Sequence, residues 1–448
     1  MTDLLNEAAE RSIRYMKDID VRRVFPAHEA IEKLASLEAP MPETPASPGD
    51  VLRELDGFGS PATVANMGPR YFGFVVGGAL PISVAAHWLA TAWDQNAAAT
   101  VMSPAACHLE KLAGRWLLDV LGLPDGSSCS FVTGTTAAHM TSLAAARHKV
   151  LAGVGWDVEQ RGLGGAPPVQ VLASEEVHIT VNRALSVLGL GRESLVRVPT
   201  DAQGRLRADR LPALRAPAIM IAQAGNVNTG AFDPIDDVCT AAAKVGAWVH
   251  VDGAFGLWAA AAPSTQPLVQ GLDRADSWAT DGHKWLNVPY DSGLAIIRDP
   301  ASVRAALAMT ASYLVPSTED PMDATLEMSR RARGVDIWAT LKTLGRSGVV
   351  DLITRCCALA RRFAERLSAA GVEVLNDVVL NQVLVSFGHE ERTRRTVERI
   401  QKEGTCWCGT TRWKGRMAMR ISVSGWKTTT EDVDRSVDAM LRCWAETA

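Results

Sequence analysis

Ala247-Trp248-Val249-His250-Val251-Asp252 and Asp281-Gly282-His283-Lys284-Trp285 are the two stretches on which the reading of this chain turns. The first is an apolar strand pattern that ends on a carboxylate. The second sets a lysine after a Gly turn, 284 − 252 = 32 residues beyond Asp252, among Trp278, Trp285, Leu286 and Val288. A charged residue closing an apolar strand is the mark of an α/β sheet that presents its chemistry at the strand ends. A lysine in such poor solvent has its ammonium form disfavoured, which frees the amine to act as a nucleophile.

Outward from these stretches the same pattern repeats. Short apolar segments at 128–133, 169–173, 218–222, 248–252 and 293–297 alternate with helical periodicity, which predicts an α/β fold with a mainly parallel sheet. Residues 1–75 read as helices and a linker marked by Pro40, Pro42, Pro45 and Pro48. Strand patterns at 372–375, 382–387 and 417–423, closed by a helix from Glu431, predict a small α+β unit. The expected division is therefore 1–75, 76–345 and 346–448. The stretch 77–93 carries no formal charge, but it holds Pro81 and His87 and is short for a membrane span. It reads as a buried or dimer-interface helix.

Composition narrows the function. With 448 residues, 47% hydrophobic and 21% charged, the chain is expected to be a soluble globular protein of two or three packed units. A net charge of −4 without a basic block argues against nucleic acid as a partner. Eight scattered cysteines and an N-terminus without a basic and apolar leader pattern point to a reduced, cytoplasmic setting. Cys406-Trp407-Cys408 has no second pair at zinc-site spacing, so no metal is expected.

Two further segments complete the chemistry. The strand pattern at 128–133 runs into Gly134-Thr135-Thr136-Ala137-Ala138 and a helix, offering backbone N–H groups, hydroxyls and a positive dipole end to a phosphate. Threonine at a helix start is common as a simple cap, and the segment matches neither a P-loop nor a dinucleotide turn. His178 follows the 169–173 strand, where its ring can stack on a cofactor or serve the structure alone. A lysine able to form a Schiff base, with Asp252 available to a protonated pyridine nitrogen, is what pyridoxal phosphate (PLP) chemistry needs.

The ordered set resembles the group II PLP-dependent decarboxylases, the family of aromatic-amino-acid, glutamate and histidine decarboxylases. The resemblance runs from Pro69-Arg70-Tyr71-Phe72-Gly73-Phe74 and Ser103-Pro104-Ala105 through Gly225-Asn226-Val227-Asn228-Thr229-Gly230, His250-Val251-Asp252 and His283-Lys284-Trp285. It ends with Ser329-Arg330-Arg331 and Met419-Arg420-Ile421-Ser422-Val423. It implies a fold-type I PLP enzyme, with a seven-stranded-type sheet in its large domain. It also implies a homodimer with active sites at the subunit interface and N-terminal helices clasping the partner. Lys284 matches the Schiff-base lysine, Asp252 the partner of the pyridine nitrogen, and His178 the histidine on the ring. Gly134, Thr135 and Thr136 match the phosphate cradle, which Asp281 and His283 complete, while Gln223, Asn226 and Ala254 fall around the cofactor. Members often carry Asn at position 281, so an anionic Asp281 beside phosphate needs an intervening N–H or water. The implied activity is decarboxylation of an L-amino acid to its amine. Aldehyde-forming oxidative deamination and carbon–carbon cleavage are the alternatives on the same residues.

Two departures bear on the outcome. Family members place a tyrosine on a loop that protonates the substrate carbon; that position falls near Pro321 here, and Tyr313 is the one tyrosine of the region. Tyr313 or His178 is left for the task, or the reaction ends in an aldehyde. The pocket segment Phe74-Val75-Val76-Gly77-Gly78 predicts few rings around the substrate, mildly against an indole or catechol specialist, although Trp93 and other tryptophans could supply rings from elsewhere in the chain. Arg70, Arg333 and Arg420 are candidates for a substrate anion, each equally readable as half of a structural ion pair.

Overall fold

The computed structural model of the chain describes residues 2–309 and 320–447. Seven strands form one sheet: β1 (Ser128–Val132), β2 (Gln170–Ser174), β3 (Leu195–Val198), β4 (Ala218–Gln223), β5 (Trp248–Asp252), β6 (Ser277–Asp281) and β7 (Gly293–Ile297). Their order is β1-β7-β6-β5-β4-β2-β3. All run parallel except β7, which pairs antiparallel with β1 and β6. This is the mainly parallel sheet expected, with β3 and β6 added to the strands legible from sequence.

The helices that bear on the site are α1 (Thr2–Asp18), α2 (Pro81–Trp93), α3 (Pro104–Val120), α4 (Thr135–Ala152), α5 (Ile179–Val187), α6 (Arg333–Ala369), α7 (Glu390–Glu403) and α8 (Thr430–Ala445). Side chains alternate across a strand, so Trp248, His250 and Asp252 face one side of the sheet and Val249 and Val251 the other. Trp248 packs with Ile219, Ile221, Ala279, Ala295 and Ile297 beneath Ala137, Ala138 and Leu143 of α4. Val249 and Val251 join Met220, Trp278, Leu294 and Ile296 in the larger core, which continues into Ile337 and Leu341 of α6. Both faces of the sheet are covered, which is why its strands read as short apolar runs.

α6 changes direction at Gly345, whose φ of 59° and ψ of −179° leave the helical region where a side chain would be strained. Its first half packs on α2 and α3, its second on α8. The second half leads to the small antiparallel sheet, β8 (Glu373–Val374), β9 (Gln382–Ser386), β10 (Gly409–Trp413) and β11 (Arg416–Ser422), in the order β10-β11-β9-β8. A buried ion pair, Arg330 to Glu110 at 2.8 Å, ties α3 to the start of α6, and Arg330 also donates to the carbonyls of Ala97 and Phe131 at 2.7 Å each.

Two helices keep large apolar side chains at the surface, Leu5 and Ile13 among them. α1 buries none of its residues, and α2 leaves Trp88, Leu89 and Trp93 exposed. Among the described residues no helix is long and apolar enough to cross a membrane. All eight cysteines are unpaired thiols.

Candidate active site

The C-terminal ends of β4, β5 and β6 lie side by side, with Gln223 beside Asp252 and Asp252 beside Ala279 in the register. β6 ends on Asp281, and the turn Gly282-His283 then delivers Lys284. Trp285, Leu286 and Val288 are buried at about one percent exposure and fasten that turn into the core. Full burial of a tryptophan removes roughly 150–250 Å² from water, so the backbone under Lys284 is held by several kcal/mol of packing. The Lys284 side chain itself is 20% exposed and its Nζ lies 2.9 Å from Asp281 Oδ2. This corrects the expectation of an amine in apolar surroundings. The aromatic neighbours point into the core, and the lysine projects into the cleft beside a carboxylate.

Asp281 Oδ1 accepts the Thr135 N–H at 2.6 Å. Burial pushes its carboxyl up, but Lys284, His283 and Thr135 outweigh that and hold it below the usual range. α4 begins at Thr135, so its first N–H groups have no partner within the helix. Thr135 Oγ1 is buried without a partner. Gly134 keeps space beside it: a Cβ there would lie 3.3 Å from His283 Cε1 and 3.5 Å from Asp281 Oδ1. Thr136 is half-buried at the same end. An orphaned hydroxyl, a helix start and a gap that a side chain would fill suit a phosphate group. His283 accepts the Ser292 N–H on Nδ1 at 3.1 Å and stacks on Tyr290 at 4.3 Å, and burial lowers its basicity.

Asp252 is buried, its Oδ1 accepting the Ala254 N–H at 3.2 Å and its Oδ2 lying 3.6 Å from His139 Nε2. Burial alone would protonate it; His139, His178 and Lys284 outweigh burial and keep it well below the usual carboxylate range. A buried carboxylate kept ionised with one edge toward a cleft suits a protonated ring nitrogen. His178 caps α5, its Nδ1 accepting the Thr180 N–H at 3.4 Å and lying 2.8 Å from the Thr180 hydroxyl. Burial lowers its basicity against the pull of Asp252. Gln223 and Asn226 brace one another at the end of β4. Asn226 Nδ2 donates to Gln223 Oε1 at 3.3 Å, and Gln223 Nε2 donates to the Glu176 carbonyl at 3.2 Å, two residues before His178.

The segment after Pro69 forms the opposite wall. Gly77 runs so close to the Lys284 carbonyl that a Cβ would lie 1.8 Å from it. Phe74 and Val75 take φ of 50° and 59°, a strained region for such side chains. Tyr71 and Phe74 each stack on Trp407, at 5.2 and 5.3 Å. The expectation of a ring-poor pocket is thereby corrected: Trp407 arrives from the small unit, 407 − 71 = 336 residues away. The three arginines also separate. Arg70 is bound to Asp432 at 2.9 Å and to the Asp20 carbonyl at 2.7 Å, and Arg333 to Asp291 at 2.7 Å. Among the described residues no group pairs with the Arg420 guanidinium, whose basicity burial lowers and whose charge reaches Tyr71 and His178.

Tyr313 lies outside the described residues. Tyr71 and Tyr290 stand in the cleft, both phenols pushed up to about 12 by burial. Neither was singled out from sequence, nor were Trp407 and His139. The scarcity of tyrosine, four in the chain, was the available signal for the first two.

A model of the pyridoxal-dependent decarboxylase conserved domain matches residues 32–389. The aromatic-L-amino-acid decarboxylase of Bacillus atrophaeus is 28% identical over 391 residues, covering 82% of this chain and 79% of that protein. The 4-hydroxyphenylacetaldehyde synthase of Rhodiola rosea is 27% identical over 374 residues, covering 77% of this chain and 74% of that protein. The crystal structure of Oryza sativa TDC with PLP and tryptamine superposes with a TM-score of 0.93 at 24% identity, over 99% of this chain and 97% of that one.

Proposed function

The chain belongs to the pyridoxal-dependent decarboxylase family, and from that premise we infer which of its residues carry the reaction. The enzyme is a carboxy-lyase that uses PLP on an amino acid. When bound, the cofactor supplies the electron sink for the bond being broken. Lys284 holds it covalently through its amine, and Asp281 keeps Lys284 and the Thr135 N–H in place. Gly134, Thr135, Thr136 and His283 hold the phosphate. Asp252, with Ala254 fixing one of its oxygens, takes the protonated ring nitrogen, and His178 lies against the ring. Gln223 and Asn226 keep the β4 end and the loop to His178 rigid. Arg420 takes a substrate carboxylate, while Tyr71, Phe74 and Trp407 receive the side chain and exclude water. His178, beside the cleft, holds the proton that the product carbon takes up; Tyr313 is its rival.

The observation that carries this reading is Asp252 held as a buried carboxylate at the strand end next to the one that leads into Lys284. The product is the corresponding amine. The Rhodiola rosea relative favours a second reading, an aldehyde-forming oxidative deamination on the same residues, with carbon–carbon cleavage as the third. A homodimer with residues 1–75 clasping the partner and active sites at the interface is supported by the apolar faces of α1 and α2. Eight free thiols support a reducing, cytoplasmic setting.

The test is to purify the protein with PLP, record its visible absorbance band, and assay carbon dioxide, amine, aldehyde and peroxide across the common amino acids. Amine with carbon dioxide is the expected outcome. Aldehyde with peroxide moves the assignment to the second reading, and aldehyde without carbon dioxide moves it to the third. A band that survives in Lys284→Ala overturns the role of Lys284.

A further inference from the structure

Trp248, His250 and Asp252 share one face of β5, and α4 lies over that face. Their side chains and those of two neighbours form an unbroken chain of contacts beneath the cleft. Trp248 Nε1 donates to Ser277 Oγ at 2.8 Å, Ser277 Oγ meets His250 Nδ1 at 2.8 Å, and His250 Nε2 meets His139 Nδ1 at 2.9 Å. His139 Nε2 then faces Asp252 Oδ2 at 3.6 Å, buried and without a nearer partner. His139, His250 and Ser277 are wholly buried.

The direction of the chain follows from its far end. An indole N–H only donates, so the Ser277 oxygen accepts, and its own hydrogen is free for His250 Nδ1. Burial pushes His250 down to about 3, so it is neutral and carries its hydrogen on Nε2, toward His139 Nδ1. His139 must then carry hydrogen on Nε2, toward Asp252. The reverse polarity would aim a lone pair of neutral His139 at a carboxylate, or else require an imidazolium, which again presents Nε2–H. Every stable arrangement gives Asp252 an N–H on the oxygen that Ala254 does not serve.

We propose that His139, oriented by His250, Ser277 and Trp248, is the positioning residue that holds Asp252 ionised and aimed at the cofactor ring nitrogen. The proposal rests on the reading of Asp252 given above. It assigns His139 no contact with substrate or cofactor; its effect passes through Asp252 alone. At 3.6 Å the Nε2–Oδ2 contact is electrostatic and longer than a hydrogen bond, so its loss is expected to weaken the equilibrium it supports by several-fold, up to about tenfold.

The experiment is a double-mutant cycle on PLP affinity, with His139→Leu, Asp252→Asn and the double variant. Dissociation constants are measured by titrating the cofactor-free protein with PLP, and the visible spectrum is recorded for each. His139→Leu is expected to weaken PLP binding by several-fold, up to about tenfold, and to alter the spectrum in wild-type background. In the Asp252→Asn background the same change is expected to have almost no effect. If Asp252→Asn weakens binding and His139→Leu does not, the proposal is overturned while the role of Asp252 stands. Equal losses in both backgrounds overturn it too, since they mark His139 as a packing residue only. No loss in Asp252→Asn overturns the reading of Asp252 and the proposal with it. If the leucine variant does not fold, His139→Asn and Ser277→Ala carry the same cycle with smaller changes of shape, and the same outcomes decide.

Discussion

Arg420→Gln should weaken substrate binding without weakening the fold. The Arg420 side chain is half-buried, and among the described residues no carboxylate pairs with it. An unpaired buried charge costs stability, so a neutral amide removes a cost and breaks no internal pair. What the substitution does lose is a charged contact to a substrate carboxylate. Such a contact contributes about 1.5–3 kcal/mol, which corresponds to roughly 10- to 150-fold in kcat/KM. Arg70→Gln is the control with the opposite signature. Arg70 is 6% exposed and gives up Asp432 at 2.9 Å along with the carbonyls of Thr405 and Asp20. Breaking a buried pair from one side costs about 3–5 kcal/mol. Steady-state kinetics and denaturant midpoints on both variants separate the two effects. An Arg420→Gln enzyme with kcat/KM within twofold of wild type, or with a midpoint lowered as far as that of Arg70→Gln, would refute the reasoning.

Three other outcomes follow from positions around the cleft. Trp285→Ala, next to Lys284 and 1% exposed, should lose about 3–5 kcal/mol in chemical denaturation and release PLP faster on dilution; unchanged release would mean that the tryptophan does not steady the lysine. Gly293→Ala places a Cβ 2.4 Å from the Gly134 backbone, so overpacking of about 1–3 kcal/mol should displace the phosphate cradle and raise the PLP dissociation constant, as read by absorbance titration. Burial pushes the Asp233 carboxyl up from 3.8 to about 7. A folded value above the unfolded one gives stability that is full below about pH 4 and fades as pH rises through 7. Asp233→Asn should therefore flatten the fall in unfolding free energy between pH 4 and 8, and parallel curves for variant and wild type would exclude this.

What could be read without coordinates depended on how the polar residues were placed. Strands β1, β2, β4, β5 and β7 are apolar through most of their length, so their pattern survives in the chain. β6, Ser-Trp-Ala-Thr-Asp, hides because its polar residues are buried too, with Ser277 satisfied across the sheet by Trp248 and His250. β3 and β10 lie at sheet edges, where arginine and threonine are tolerated and the alternation blurs. In the cleft, Asp252 and Lys284 stood out because a charge interrupting an apolar run demands a partner. Tyr71 and Trp407 did not, since their stacking spans more than 300 positions and leaves no local mark. For the same reason the roles of Arg70 and Arg420 could not be told apart: the deciding fact is whether Asp432 reaches one of them.

On the proposed reading, helix α4 acts as a ruler between the two ends of the cofactor. Thr135 at its first turn and His139 four residues on are separated by about 6 Å of helical rise and share one face. Adding or deleting one residue between them would turn His139 by about 100° away from β5 while leaving the helix intact. Length in this turn is therefore less tolerant than residue identity. A single-residue deletion there should do more harm to cofactor retention than any single substitution within it.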